Sequence, residues 1–116
     1  MSRAADRARL GDHAPVFAAL GDRTRLGIVA TLSSGEPRSI SALADASDLS
    51  RQAVTKHLKV LEGVGLVSSR RLGRETLYTF RPERLDDASA GLAAISRQWA
   101  DALGRLKHFV ERDPDS

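Results

Sequence analysis

Ser50-Arg-Gln-Ala-Val-Thr-Lys-His-Leu-Lys-Val-Leu-Glu62 carries two patterns at once. Val54, Leu58 and Leu61 recur at i, i+4 and i+7, the spacing of one buried helical face, and Ser50 stands where a hydroxyl caps a first turn. Arg51, Gln52, Thr55, Lys56 and Lys59 fall on the opposite face, which offers cations, an amide and a hydroxyl but no carboxylate before Glu62. Cations neutralise phosphates, and Gln, Arg and Lys bond the donors and acceptors that base edges display in the major groove. His57 falls between the two faces, placed for a phosphate contact or for packing. Alone, this helix reads more readily as a solvated amphipathic surface, for which a charged outer face is the default.

The flanking sequence changes the balance. Ser39 caps a shorter helix, Ile40 to about Ala46, with Ile40, Leu43 and Ala44 inward, and Ser47-Asp48-Leu49 joins it tightly to Ser50. That is helix-turn-helix geometry, which exposes the second helix. Beyond it Gly63 and Gly65 bracket Val64, where a glycine in the left-handed conformation ends a helix. Leu66–Arg71 and Thr76–Phe80 then alternate as two strands around Leu72-Gly73-Arg74-Glu75, a hairpin whose tip carries Arg70, Arg71 and Arg74. A fold needs no such density of arginine, whereas a phosphate backbone uses it.

Upstream, Val16, Phe17 and Leu20 lie at helical spacing before Gly21, and Asp22 is the N-cap of a second helix with Leu26, Val29, Ala30 and Leu32 inward. Residues 1–12 read as a mobile, Arg-rich arm that becomes helical near Leu10. Downstream, Leu85, Ala88, Leu92, Ile95, Trp99, Ala102, Leu106 and Phe109 alternate at spacings of three and four, a heptad seam suited to pairing with another helix, widened locally by Leu103 and Val110. Asp86 and Asp87 lie at the positive end of its dipole, with Lys107, His108 and Arg112 at the negative end. Residues 113–116 read as a frayed tail, leaving 13–112 as one domain.

The composition agrees with this division. At 116 residues the chain is one domain, and with no cysteine it excludes a disulfide framework, a thiolate metal site and a thiol nucleophile. Net charge is only +3, yet residues 50–81 hold seven basic side chains against two acidic. This local field draws a protein to a polyanion. No apolar run reaches the length of a signal peptide or a membrane span, so a cytoplasmic protein is expected, and the basic helix lacks the Trp and Phe of an interfacial one.

The residues resemble the ArsR-type family of bacterial transcriptional regulators. The resemblance rests on Phe17-Ala-Ala-Leu-Gly-Asp-Arg-Thr-Arg25, Leu43-Ala44, Ser50–Glu62, Gly65-Leu-Val67 and Gly73-Arg74-Glu75, and spans about Val16 to Glu111. Each motif is loose alone; five in matching order are specific. The resemblance implies a mainly α fold with a small β-hairpin, a winged helix-turn-helix with a long C-terminal dimerisation helix. It implies a homodimeric repressor with the Ser50 helix in the major groove of operator DNA and the wing, about 66–80, on the backbone. The expected DNA set is Ser50, Arg51, Gln52, Thr55, Lys56, His57, Lys59, Arg70, Arg71 and Arg74. The expected dimer interface is Val16, Phe17, Leu20, Leu92, Ile95, Trp99, Leu106 and Phe109, unless these side chains close the monomer's own core.

Many relatives sense metals, through cysteines on the first helix of the helix-turn-helix or through Asp, His and Glu on the last helix. This sequence departs from both patterns: Ser39–Ala46 holds no cysteine, and Ile95 and Arg97 stand where an Asp-x-His pair would. His108 and Glu111, at i and i+3, form at most half a site, so neither metal nor cofactor is expected, and no effector is specified. His13 is expected to face solvent. Two other classes remain: a winged-helix module whose basic face binds an acidic protein partner, and an enzyme. The second fares poorly, because the three histidines are scattered and no nucleophile has a base at a readable spacing.

Overall fold

The computed structural model describes residues 10–111; the arm upstream of Leu10, Arg112 and the 113–116 tail lie outside them. Residues 10–12, the last of the expected arm, are helical and lead into α1, Ala14–Leu20. Pro15 sits in the first turn of α1, where the missing amide costs no bond. α2 spans Arg23–Leu32, and the Oδ2 of Asp22 accepts the amide of Arg25 at 2.9 Å, the cap its position predicts.

The inward face of α2 differs from the expected one. Ile28, Val29 and Leu32 are buried, whereas Leu26 is 52% exposed and Ala30 is exposed as well. Arg25, Ile28, Val29 and Leu32 form the i, i+3, i+4, i+7 stripe. The Nε of Arg25 donates to the carbonyl of Ala19 at 2.7 Å, which binds the head of that stripe to α1 and sets the rotation of α2. An arginine at a core-facing position hid the stripe from a count of apolar residues.

The helix-turn-helix forms with both expected caps. α3, Ile40–Asp45, has its Ala42 amide on the Oγ of Ser39 at 3.0 Å, and α4, Arg51–Gly63, has its Ala53 amide on the Oγ of Ser50 at 3.1 Å. Between them Ser47 donates its hydroxyl to the carbonyl of Leu43 at 3.0 Å. Val54, Leu58 and Leu61 are buried as their spacing requires. Gly65, at φ +78°, takes the left-handed position that releases the chain into the sheet.

That sheet has three strands rather than two: β1, Arg38–Ser39; β2, Val67–Leu72; and β3, Glu75–Phe80, in the order β1-β3-β2 and antiparallel throughout. β1 carries no local strand signal. It exists because Arg38 and Ser39 pair with Tyr78 and Leu77 along the free edge of β3. The hairpin turn is tighter than expected, since Leu72 pairs with Glu75 and only Gly73 and Arg74 remain between the strands. Gly73 adopts φ +63°, as a two-residue hairpin turn demands of its first position.

α5 runs from Pro82 to Glu111, 30 residues or about 45 Å. It begins three residues before the predicted Leu85, with proline preset for the first position. Glu83 therefore occupies the first turn in place of Asp86 and Asp87, while His108 is in the last. Among the described residues, only the start of α5 docks: Ala88 is buried, Leu85 is half-buried, and at Gly91 a Cβ would come within 3.0 Å of Leu10.

The core gathers Leu32, Leu58, Leu61, Leu66 and Tyr78 with Val16, Ala19 and Ala88 under α4 and the sheet. Each fully buried aliphatic or aromatic side chain there contributes roughly 1.5–3 kcal/mol. Val16 is only 1% exposed and belongs to this core, not to an outer interface as expected from the sequence. Its i+3 neighbour Ala19 is buried beside it, so this stripe of α1 faces its own domain, while Phe17 and Leu20 are half-buried against it. The molecule measures 74 × 30 × 20 Å with a radius of gyration of 20.0 Å, against about 13 Å for a compact chain of 100 residues. The projecting α5 accounts for the excess. Among the described residues, no helix is long and apolar enough to cross a membrane.

Candidate nucleic-acid interface

α4 is held from beneath by Val54, Leu58 and Leu61, so its opposite face is the part left to solvent. Ser50, Arg51, Gln52, Lys56 and Lys59 are exposed there. Thr55 is half-buried, and its hydroxyl donates to the carbonyl of Arg51 at 2.7 Å, which leaves that oxygen free only to accept. Ser50 is likewise committed through its oxygen to capping.

His57 lies elsewhere than the outward face. Its Nδ1 stands 3.9 Å from the Oδ2 of Asp22, and the imidazole is half-buried between α4 and the start of α2. Of the two roles its position between the faces left open, a phosphate contact or packing, this placement fits packing. The amide of Arg25 does most to hold the carboxyl of Asp22 below its ordinary pKa; burial comes next and opposes it, and the charges of Arg25 and then His57 add to the lowering. His13 also differs from expectation: it is half-buried, with its ring 3.7 Å from where a Cβ of Gly91 would stand.

The hairpin presents Arg70, Arg71 and Arg74 to solvent. Arg71 Nε donates to the carbonyl of Gly73 at 3.4 Å, and among the described residues the ion pairs are Arg38–Glu36, His57–Asp22 and Lys59–Glu62. None of them engages Arg51, Lys56 or the three hairpin arginines. Two clusters of uncompensated cations therefore stand on one continuous stretch of chain, one on a rigid helix and one on a protruding hairpin.

Residues 62–81 hold a second layer that composition alone concealed. Glu62 accepts the hydroxyl of Ser69 at 2.6 Å, and Arg81 Nε donates to the Oγ of Ser68 at 2.7 Å. Tyr78 is buried beside Glu62, and burial first, then that negative charge, raise the pKa of its phenol. Arg81 entered the sequence argument only as one of seven basic residues; its contact depends on a partner 13 positions away, a separation that no local pattern reveals.

Away from this surface, Leu92, Ile95, Trp99, Leu106 and Phe109 are all exposed along α5, from 43% at Ile95 to 69% at Phe109. They do not close the core of their own domain. His108 and Glu111 are exposed on the same helix, and among the described residues no three His, Cys, Asp or Glu side chains cluster closely enough to hold a metal ion.

Comparison with known proteins agrees with this architecture. A helix-turn-helix domain family matches residues 20–70. The HTH-type transcriptional regulator Rv2034 of Mycobacterium tuberculosis is 36% identical over 101 residues, covering 84% of this chain and 87% of the relative. The chain belongs to the ArsR-type family of winged helix-turn-helix regulators. An ArsR-like transcriptional regulator from Rhodococcus sp. RHA1 superposes with a TM-score of 0.73 at 38% identity, over 85% of this chain and 92% of that one. The homodimeric winged helix-turn-helix DNA-binding domain of Mb0332 from Mycobacterium bovis matches with a TM-score of 0.61 at 32% identity, over 87% of each chain. As an ArsR-type regulator, the protein is a DNA-binding transcriptional regulator. β2 and β3 form its wing and α4 is its candidate recognition helix.

Proposed function

We propose that the protein is a cytoplasmic, sequence-specific repressor that works as a homodimer, with residues 13–112 as its single DNA-binding and dimerisation unit. Gln52, Thr55 and Lys56 read base edges in the major groove, Ser50, Arg51 and Lys59 meet adjacent phosphates, and Arg70, Arg71 and Arg74 grip the backbone from the wing. His57 is assigned to packing against Asp22 rather than to DNA. The observation that carries this reading is the pairing of an outward α4 face with no carboxylate before Glu62 with three exposed wing arginines that no acidic side chain neutralises among the described residues.

One recognition helix covers only a few base pairs, so specific binding calls for two, about 34 Å apart on one face of the duplex. α5 supports the pairing, since Leu92, Ile95, Trp99, Leu106 and Phe109 remain exposed in a single copy, with Phe17 and Leu20 of α1 at the margin. A run of exposed large apolar side chains along one helix is the kind of surface that marks an interaction site. The homodimeric state of the Mb0332 domain agrees with it. Repression follows from occupancy of promoter DNA and requires no cofactor. The test is an electrophoretic shift with DNA from the region upstream of its own gene. Retardation of that fragment but not of a scrambled duplex, with a footprint of two half-sites one helical turn apart, is expected; equal retardation of both would remove sequence-specific repression.

A further inference from the structure

The wing's arginines act at a fixed distance from α4 only if the hairpin is held at its base. A two-stranded ribbon projecting into water is marginally stable by itself. Successive side chains of a strand point to opposite faces, so Ser68 and Ser69 on β2 look in opposite directions. Each is bonded. Ser69 donates to Glu62 on α4 at 2.6 Å, and Ser68 accepts from Arg81, the residue before α5, at 2.7 Å. The amide of Arg81 also donates to the carbonyl of Leu66 at 2.8 Å, which ties the same residue to the chain entering β2.

Glu62 is the only carboxylate on α4, and Lys59 lies 3.9 Å from it. Next to a polyanion a carboxylate is electrostatically unfavourable, and its position needs another reason. A carboxylate oxygen accepting a hydroxyl at 2.6 Å is a short hydrogen bond of the charge-assisted kind. We infer that Glu62 and Ser69, backed on the opposite face of β2 by Arg81 and Ser68, form a clamp that sets the angle between wing and recognition helix, making them positioning residues for the wing's backbone contact. The inference rests on the proposed wing contact and adds to it the residues that aim it.

Charge and geometry make opposite forecasts for Glu62→Ala. On charge alone, removing a negative group beside DNA tightens binding and steepens its salt dependence. With the clamp lost, the wing arginines contribute less, so binding weakens and the slope of log K against log salt flattens by about one to two units. Ser69→Ala leaves all charges in place and gives the same flattening, while Ser69→Thr, which keeps the hydroxyl on a strand-compatible residue, restores the slope. These variants are measured on a short random-sequence duplex, with far-UV dichroism to verify folding.

Arg74→Ala separates the two claims. In the otherwise unaltered protein it flattens the slope by about one unit, and in the Ser69→Ala background by clearly less. An unchanged slope for Arg74→Ala, joined by unchanged slopes for Arg70→Ala and Arg71→Ala, overturns the wing contact and the clamp together. A normal effect of Arg74→Ala that is fully additive with Ser69→Ala, or tighter binding by Glu62→Ala, overturns the clamp alone.

Discussion

The head of the molecule, from α1 to the first two turns of α5, and the projecting remainder of α5 use the same kinds of apolar residue to opposite ends. In the head, Leu32, Leu58, Leu61 and Leu66 lose all contact with water, and every helix contributes to one core. Along α5 beyond Gly91, Leu92, Ile95, Trp99, Leu103, Leu106, Phe109 and Val110 remain open. The physical difference is partnership. Each head helix is joined by a short connection to an element that returns across its apolar face, whereas α5 runs past the last of the described elements able to cover it. A periodic apolar stripe thus specifies that a face must be covered but not by which chain.

The sharpest way to break that contrast is Trp99→Asp. A charge at the centre of the proposed seam between copies would cost several kcal/mol of association, so a folded but monomeric protein with poor DNA binding is expected. Light scattering and far-UV dichroism decide it: an unfolded chain would place Trp99 in a core, and a folded dimer with intact affinity would remove α5 from the interface. Leu58→Ala tests the head in the same terms. Its side chain is fully buried, so the substitution should lower unfolding free energy by about 2–5 kcal/mol in denaturant titration. A loss below 1 kcal/mol would mean that the head is not the closed unit described.

A smaller effect distinguishes the two cationic surfaces of the head. Gln52→Ala on rigid α4 should cost about 1–3 kcal/mol for one preferred base pair while leaving other sequences alone, as binding to a panel of single-base variants would reveal. A uniform loss across the panel would reassign Gln52 to the backbone. The smallest expected effect is none: added zinc, or a chelator, should leave DNA affinity unchanged, because His108 and Glu111 are at most half a site and Ile95 and Arg97 stand where the Asp-x-His pair that would complete it belongs. A zinc-dependent shift in affinity that His108→Ala abolishes would make the projecting half of α5 a sensor as well as a seam.

Most of the fold was legible because the signals were local. Asp22, Ser39 and Ser50 each cap the helix that follows them, and Val54, Leu58 and Leu61 are all buried. The errors share a cause. Arg25 occupies a core-facing position through a bond to Ala19, which misled the reading of Leu26 and Ala30. β1 has no strand sequence and depends on β3 for its existence. Val16 shares its spacing with Phe17 and Leu20, yet only packing shows which of the three is enclosed.

Caps, apolar periodicity and glycines with positive φ act over a few residues, and through them the sequence by itself determined the helix boundaries near Ser39 and Ser50, the hairpin at Gly73 and the outward face of α4. Contacts between distant residues obey no such period. The third strand, the rotation of α2, the enclosure of Val16 and the bonds of Ser68 and Ser69 to either side of β2 were decided only in the tertiary structure, where a side chain's partner is set by which elements the fold brings together.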